Sequence, residues 1–123
     1  MSQALVVDDS RAMRAILGKQ LKQLGYEVVE AEHGEQALER LAACVSMPVL
    51  ALVDWNMPRM NGLDFIKAVR ARRDFDAMRL MMVTTETELS QVQTALAAGA
   101  NEYMMKPFTP DALLAKLATM GLP

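Results

Sequence analysis

The 123 residues predict an α/β domain: five β-α units forming a mostly parallel sheet with helices on both faces. Two observations carry this. Short apolar runs of strand character alternate with segments whose apolar residues recur at helical spacing, and no linker breaks the alternation. Gly25, Gly99 and Pro110 fall where elements should begin or end rather than within them. Residues 1–123 therefore read as one domain.

The first strand is expected near 4–7, where Ala4-Leu5-Val6-Val7 is continuously apolar, as a strand buried on both faces requires. A helix follows near 10–24. Met13, Ile16, Leu17, Leu21 and Leu24 form its apolar stripe, Asp9 or Ser10 can cap its start, and Gly25 stands at its end. The second strand is read at 26–30 and the second helix at 35–43. The third strand is Val49-Leu50-Ala51-Leu52-Val53, followed by a helix near 63–72. Arg70, Arg72 and Arg73 close that helix, where positive charge suits the dipole and reads as a solvated end. The fourth strand is expected at 80–83 and the fourth helix at 88–98, with Leu89, Val92 and Leu96 inward and Gly99 as terminator. The fifth strand falls at 102–105. Thr109 caps the last helix, near 110–119, with Pro110 at its first position and Leu113, Leu114 and Leu117 inward. Right-handed crossovers leave few topologies for such a chain.

Composition bounds the function. Hydrophobic residues make up 52% of the chain, which excludes a disordered segment, and the net charge of -2 gives no reason to expect nucleic acid as a direct partner. Cys44 is the single cysteine, so no internal disulfide forms, and it reads as a packed thiol near a helix end. The apolar runs are far shorter than the roughly 20 residues of a membrane span, and the N-terminus lacks a basic-then-apolar leader. A cytoplasmic protein is the expectation.

The chemistry concentrates at the ends of four strand runs. Asp8 and Asp9 close the first, Asp54 the third and Thr84 the fourth, and Lys106 follows the fifth. Parallel strands deliver their carboxyl ends to one edge, where ligands bind in open α/β sheets. Adjacent strands lie about 4.8 Å apart, so the acidic pair and Asp54 can meet around one ion. Two carboxylates ~4 Å apart at a partly wet site repel by something like 1–4 kcal/mol, so three of them call for a cation. Oxygen-only ligation, with no His or Cys nearby, favours Mg²⁺ or Mn²⁺ over zinc or copper. Asp54, the central carboxylate, is the expected nucleophile, because an Asp carboxylate can form an aspartyl-phosphate. Lys106 can neutralise a second side of a phosphoryl group and Thr84 can donate a hydrogen bond to it. Taken singly, each carboxylate reads as a helix cap or a surface charge; four strand ends together do not.

Asp8-Asp9, Asp54-Trp55-Asn56-Met57-Pro58, Thr84 and Lys106-Pro107-Phe108 together resemble the receiver domain of two-component response regulators, in particular the stand-alone chemotaxis regulators of the CheY type. The resemblance covers nearly the whole chain. It implies a flavodoxin-like fold with sheet order 2-1-3-4-5. That order is borrowed, since this family is itself a standard example of it. The second strand, which ends without a site residue, would then be an edge. The resemblance further implies that Asp54 accepts phosphate from a sensor histidine kinase or phosphotransfer protein. Asp8, Asp9, Asp54 and the backbone carbonyl of Asn56 would hold Mg²⁺, with Mn²⁺ as substitute. Thr84 and Lys106 would contact the phosphoryl group, and Tyr103 would be the aromatic that turns inward when Thr84 moves. Asn56 and Glu86 would tune loss of the phosphoryl group. The output face would include Gln91, Tyr103, Met105 and Lys116, presented to a downstream protein such as the flagellar motor switch. The Lys106-Pro107 bond is expected cis, the protein monomeric, and its catalysis limited to its own phosphorylation and dephosphorylation. A single-domain phosphorelay shuttle is the neighbouring role. The chain stops at Met120-Gly121-Leu122-Pro123, about a turn short of a typical final helix of such domains, as a stand-alone protein or a trimmed domain.

Two other readings share parts of this pattern. A haloacid-dehalogenase-like phosphohydrolase also uses an aspartyl nucleophile, but carries a second Asp two residues on as acid/base, where this chain has Asn56. An FMN-binding domain of the same fold needs a hydroxyl- and glycine-rich phosphate loop after the first strand, where Asp8-Asp9-Ser10-Arg11 would repel the phosphate. A receiver reduced to a docking module would have lost site residues that are all present here. His33 is expected as a solvated loop residue, Met81, Met82, Met104 and Met105 as core, and Met57 and Met60 as contacts for a kinase or phosphatase.

Overall fold

The structure, a computed structural model, describes residues 2–55, 57, 60–84, 89–106 and 109–122, without the side chains of 89 and 90. The elements run β1 (Gln3–Val7), α1 (Arg11–Gln23), β2 (Glu27–Ala31), α2 (Gly34–Ala43), β3 (Leu50–Asp54), α3 (Gly62–Arg70), a 3-10 turn (Arg73–Phe75), β4 (Arg79–Thr84), α4 (Leu89–Ala98), β5 (Glu102–Met105) and α5 (Pro110–Thr119). The five strands form one parallel sheet in the order β2-β1-β3-β4-β5.

The strands alternate between two cores, as their period of two dictates. Leu5, Val7, Ala51, Val53, Leu80 and Met82 face α2, α3 and α4, packing with Ala37, Leu41, Phe65, Ile66, Val69 and Ala95. Ala4, Val6, Leu50, Leu52, Met81, Val83 and Met104 face α1 and α5, packing with Leu17, Leu21, Leu113 and Leu117. Both faces are covered, which is why the strand runs are continuously apolar rather than alternating.

Element ends follow local chemistry. The Ser10 hydroxyl accepts from the Met13 N–H and caps α1, and Thr109 does the same for α5 through Ala112, with Pro110 at the first helical position. Gly25, at φ 96°, takes the left-handed conformation that ends α1, and the Tyr26 N–H returns to the Leu21 carbonyl across it.

Several expectations are corrected. Ile16 is 51% exposed, and the buried face of α1 is Arg14, Leu17, Gly18 and Leu21. Helix α3 ends at Arg70, so of the arginine cluster only Arg70 closes it, and that side chain is no solvated end. Its guanidinium donates to the carbonyls of Gly99, Phe75 and Met78 and to Asn101 Oδ1 at 2.8–3.1 Å. His33 is half-buried and caps α2, its Nδ1 accepting from the Gln36 N–H at 3.1 Å. An imidazole lone pair there replaces the usual hydroxyl or carboxylate. Met105 is 47% exposed rather than core, and Leu96 and Leu114, expected inward, are exposed as well. Met57 and Met60 are partly buried against the core, with the Met60 thioether packed over Gly34. The expected cis bond at Pro107 lies outside the described residues.

Candidate functional site

The sheet register brings the predicted residues to one edge. Val7 pairs with Val53, so Asp8 leaves β1 beside Asp54, the last residue of β3. Thr84 ends β4 and pairs with Met105, and the Lys106 N–H donates to the Thr84 carbonyl at 2.8 Å. Strand geometry alone therefore carries a carboxylate pair, a central carboxylate, a hydroxyl and an amine to the same carboxyl edge of the sheet.

Close approach after Asp54 depends on Gly62. A Cβ at that position would lie 2.6 Å from the Asp54 carbonyl and 3.0 Å from the Trp55 Cα. The Gly62 N–H donates to the Trp55 carbonyl at 2.9 Å, closing the loop back onto the strand end. Asn61 then caps α3 through the Asp64 N–H at 2.9 Å.

Asp8, Asp9 and Asp54 each present a carboxylate oxygen within 4.8 Å of the other two. Asp8 and Asp54 are buried and Asp9 is exposed, so the cluster opens to solvent on the Asp9 side. Lys106 Nζ bonds Asp8 Oδ2 at 2.8 Å and Asp54 Oδ1 at 3.4 Å. Burial pushes the Asp54 carboxyl above its ordinary value, the Asp8 charge adds to that, and Lys106 only partly offsets it. One ammonium against three carboxylates leaves the site short of positive charge. An all-oxygen donor set with that deficit fits a hard divalent cation. Asp8, Asp9 and Asp54 are the described residues that could hold one.

The hydroxyl and the aromatic border a common gap. Trp55, Met82, Thr84, Gln91, Val92, Ala95 and Tyr103 line an apolar cavity of about 10 Å³. That is room for one water at most, so the Tyr103 ring enters only if the walls move. Tyr103 is half-buried, its ring covered by Lys116 Nζ at 4.7 Å from the centroid, and Lys116 is held by Glu102 at 3.1 Å. Gln91, Tyr103 and Lys116 thus share one region of β5, α4 and α5, with Met105 exposed on the same strand. Asn56 and Glu86 lie outside the described residues.

Sequence reasoning missed Arg14. Its guanidinium, on a residue only 8% exposed, donates from Nη1 to the Asp8 carbonyl at 2.7 Å and from Nε to Glu30 Oε1 at 3.2 Å. The signal existed, since Arg14, Leu17, Gly18 and Leu21 have the i, i+3, i+4, i+7 spacing of one helix face.

Residues 4–118 match the response regulator receiver domain family. The chain is 54% identical over 114 residues to the chemotaxis protein CheY1 of Helicobacter pylori, covering 92% of this chain and 91% of that one. It is 50% identical over 114 residues to a chemotaxis protein CheY homolog of Campylobacter jejuni, covering 92% and 87%. Among solved structures it is similar to the chemotaxis protein CheY4 of Vibrio cholerae, with a TM-score of 0.88 at 36% identity over 96% and 97% of the two chains.

Proposed function

The chain belongs to the response regulator receiver domain family, and from that premise we propose that it is a chemotaxis-type phosphorylation switch whose phosphoacceptor is Asp54. The observation that carries the assignment is the Lys106 ammonium, set between Asp8 and Asp54 at 2.8 and 3.4 Å, at the edge where three carboxylates converge. An Asp54 oxygen attacks the phosphorus of a phosphohistidine on a sensor kinase or phosphotransfer protein. The new O–P bond forms as the N–P bond breaks, and the histidine leaves with its electron pair. Such a transfer demands positioning and charge neutralisation and little further chemistry. Asp8, Asp9, Asp54 and the backbone carbonyl of Asn56 would hold Mg²⁺, or Mn²⁺ in its place, which would neutralise the phosphoryl oxygens.

Lys106 already faces Asp54 and needs only to exchange Asp8 for a phosphoryl oxygen. Thr84 lines the same gap as Tyr103, so a hydroxyl drawn toward a phosphoryl oxygen alters the wall that keeps the ring out. Phosphorylation thereby shifts a population between outward and inward Tyr103. The face that reads this out carries Gln91, Tyr103, Met105 and Lys116, and its partner is a downstream protein such as the flagellar motor switch. Asn56 and Glu86 set the lifetime of the phosphorylated form. Among the described residues no helix is long and apolar enough to cross a membrane, in keeping with a switch working in the cytoplasm.

The test is direct. Acetyl phosphate with Mg²⁺ should add one phosphoryl mass to the intact protein, and Asp54→Asn should not acquire it. An Asp54→Asn protein phosphorylated to full stoichiometry would sink the assignment.

A further inference from the structure

We propose that Arg14 is a positioning residue for the cation site, holding the Asp8-Asp9 corner from behind through the Asp8 carbonyl; this rests on the receiver reading above. Asp8 is the first residue beyond β1, where the ladder stops supplying partners to its backbone. Its N–H still reaches the Ala31 carbonyl on β2 at 3.1 Å, its Oδ1 accepts from the Ser10 N–H at 2.9 Å, and its Oδ2 accepts from Lys106. The carbonyl is the remaining polar group, and Arg14 Nη1 takes it at 2.7 Å. Every polar group of Asp8 is thus fixed, and the peptide leading into Asp9 leaves the sheet in one direction.

Arg14 is itself aimed. Glu30 on β2 accepts from its Nε, so the planar guanidinium spans two partners on neighbouring strands. A lysine, with a single point of charge, cannot hold both in one plane. The edge strand that carries no site residue thereby contributes to the site twice, through the Ala31 carbonyl and through Glu30. Without the guanidinium the Asp8 carbonyl loses its buried donor. The two aspartates must then be ordered by the cation at the moment of binding, which weakens binding.

Mg²⁺ titrations by calorimetry on the wild type, Arg14→Met, Arg14→Lys and Glu30→Ala, with thermal melts of each, decide the matter. Arg14→Met should weaken Mg²⁺ binding roughly tenfold, the scale for outer-shell partners of a metal site. Arg14→Lys should lose part of that, and Glu30→Ala a few-fold. At saturating Mg²⁺ the rate of phosphorylation of Arg14→Lys by acetyl phosphate should return to the wild-type value. Variants that melt earlier yet bind Mg²⁺ as the wild type does would make Arg14 a packing residue and overturn the inference alone. Glu30 is half-exposed, so Glu30→Ala separates these outcomes even if Arg14→Met does not fold. A wild type that binds no Mg²⁺ overturns the receiver reading and this inference with it.

Discussion

Asp54 is a carboxylate the folded chain holds at a cost. Its ordinary value is 3.8, and burial, then the Asp8 charge, push it up against the pull of Lys106, with Asp9 adding a smaller push. A carboxyl whose folded value exceeds its unfolded one loses stability as pH rises through the folded value and regains it as pH falls toward the unfolded one. Asp54→Asn keeps the shape and an acceptor for Lys106 while removing the charge. In the absence of divalent cations it should melt a few degrees higher than the wild type at neutral pH, on the order of 1 kcal/mol. The gain should shrink as pH falls toward about 4, and thermal melts across that range would read it. A variant less stable than the wild type at neutral pH would mean that Asp54 is not electrostatically strained. The residues behind this strain were legible in the sequence because each polar group ends an apolar run. Arg14 was passed over although its spacing put it on the buried helix face, because a charged residue inside a helix reads as solvated until its partner across the fold is known. Its partners, the Asp8 carbonyl and Glu30, lie on two other elements.

At the scale of elements, strand and helix placement was readable to within about two residues, because buried parallel strands announce themselves as unbroken apolar runs. Which helix residues face inward was less so. Ile16, Leu96 and Leu114 are exposed although they fit an apolar stripe, and short helices on a sheet bury a narrower face than the stripe suggests. The pairing of β5 with α5 was invisible beforehand, since it links Glu102 and Lys116 only after the crossover. Burial pushes the Glu102 carboxyl up, but hydrogen bonds from the Tyr103 N–H, Lys116 and the Thr119 hydroxyl outweigh it and hold it below its ordinary 4.5. A lowered carboxyl stabilises above its unfolded value, and that contribution is lost as pH falls through the folded one. Acid strong enough to protonate Glu102, below the ordinary carboxylate range, should therefore release Lys116 from Glu102 and uncover the Tyr103 ring. Carboxyl-carbon NMR should place Glu102 below 4.5 in the wild type and higher in Lys116→Met. With Lys116 partly exposed, the ion pair is worth no more than about 1 kcal/mol. An unchanged Glu102 titration in the variant would mean that Lys116 is not the residue holding it.

For the whole molecule, the two edges of the sheet divide the work. The carboxyl edge gathers Asp8, Asp9, Asp54 and Lys106, the charges proposed to perform the transfer. The opposite edge, where α3 and α4 end and β4 and β5 begin, is closed by Arg70, whose guanidinium joins the carbonyls of Gly99, Phe75 and Met78 to Asn101 Oδ1. Asn101 Oδ1 also accepts from the Leu80 N–H at 2.8 Å, so one side chain ties two helix ends to two strand starts. Replacing Arg70 by Met keeps the aliphatic stem but leaves several partly buried acceptors without a donor. Each costs about 1–3 kcal/mol where water cannot reach, so a total of roughly 2–4 kcal/mol is expected once partial solvation is allowed. Because every one of these bonds lies at the edge away from Asp8, Asp9 and Asp54, the loss should be confined to stability. Urea unfolding of Arg70→Met should show a lowered midpoint with an unchanged slope. Its Mg²⁺ affinity and its rate of phosphorylation by acetyl phosphate should equal those of the wild type at a temperature where both are folded. If Mg²⁺ affinity fell together with the midpoint, the two edges would be coupled through the sheet, and the division of labour between them would be wrong.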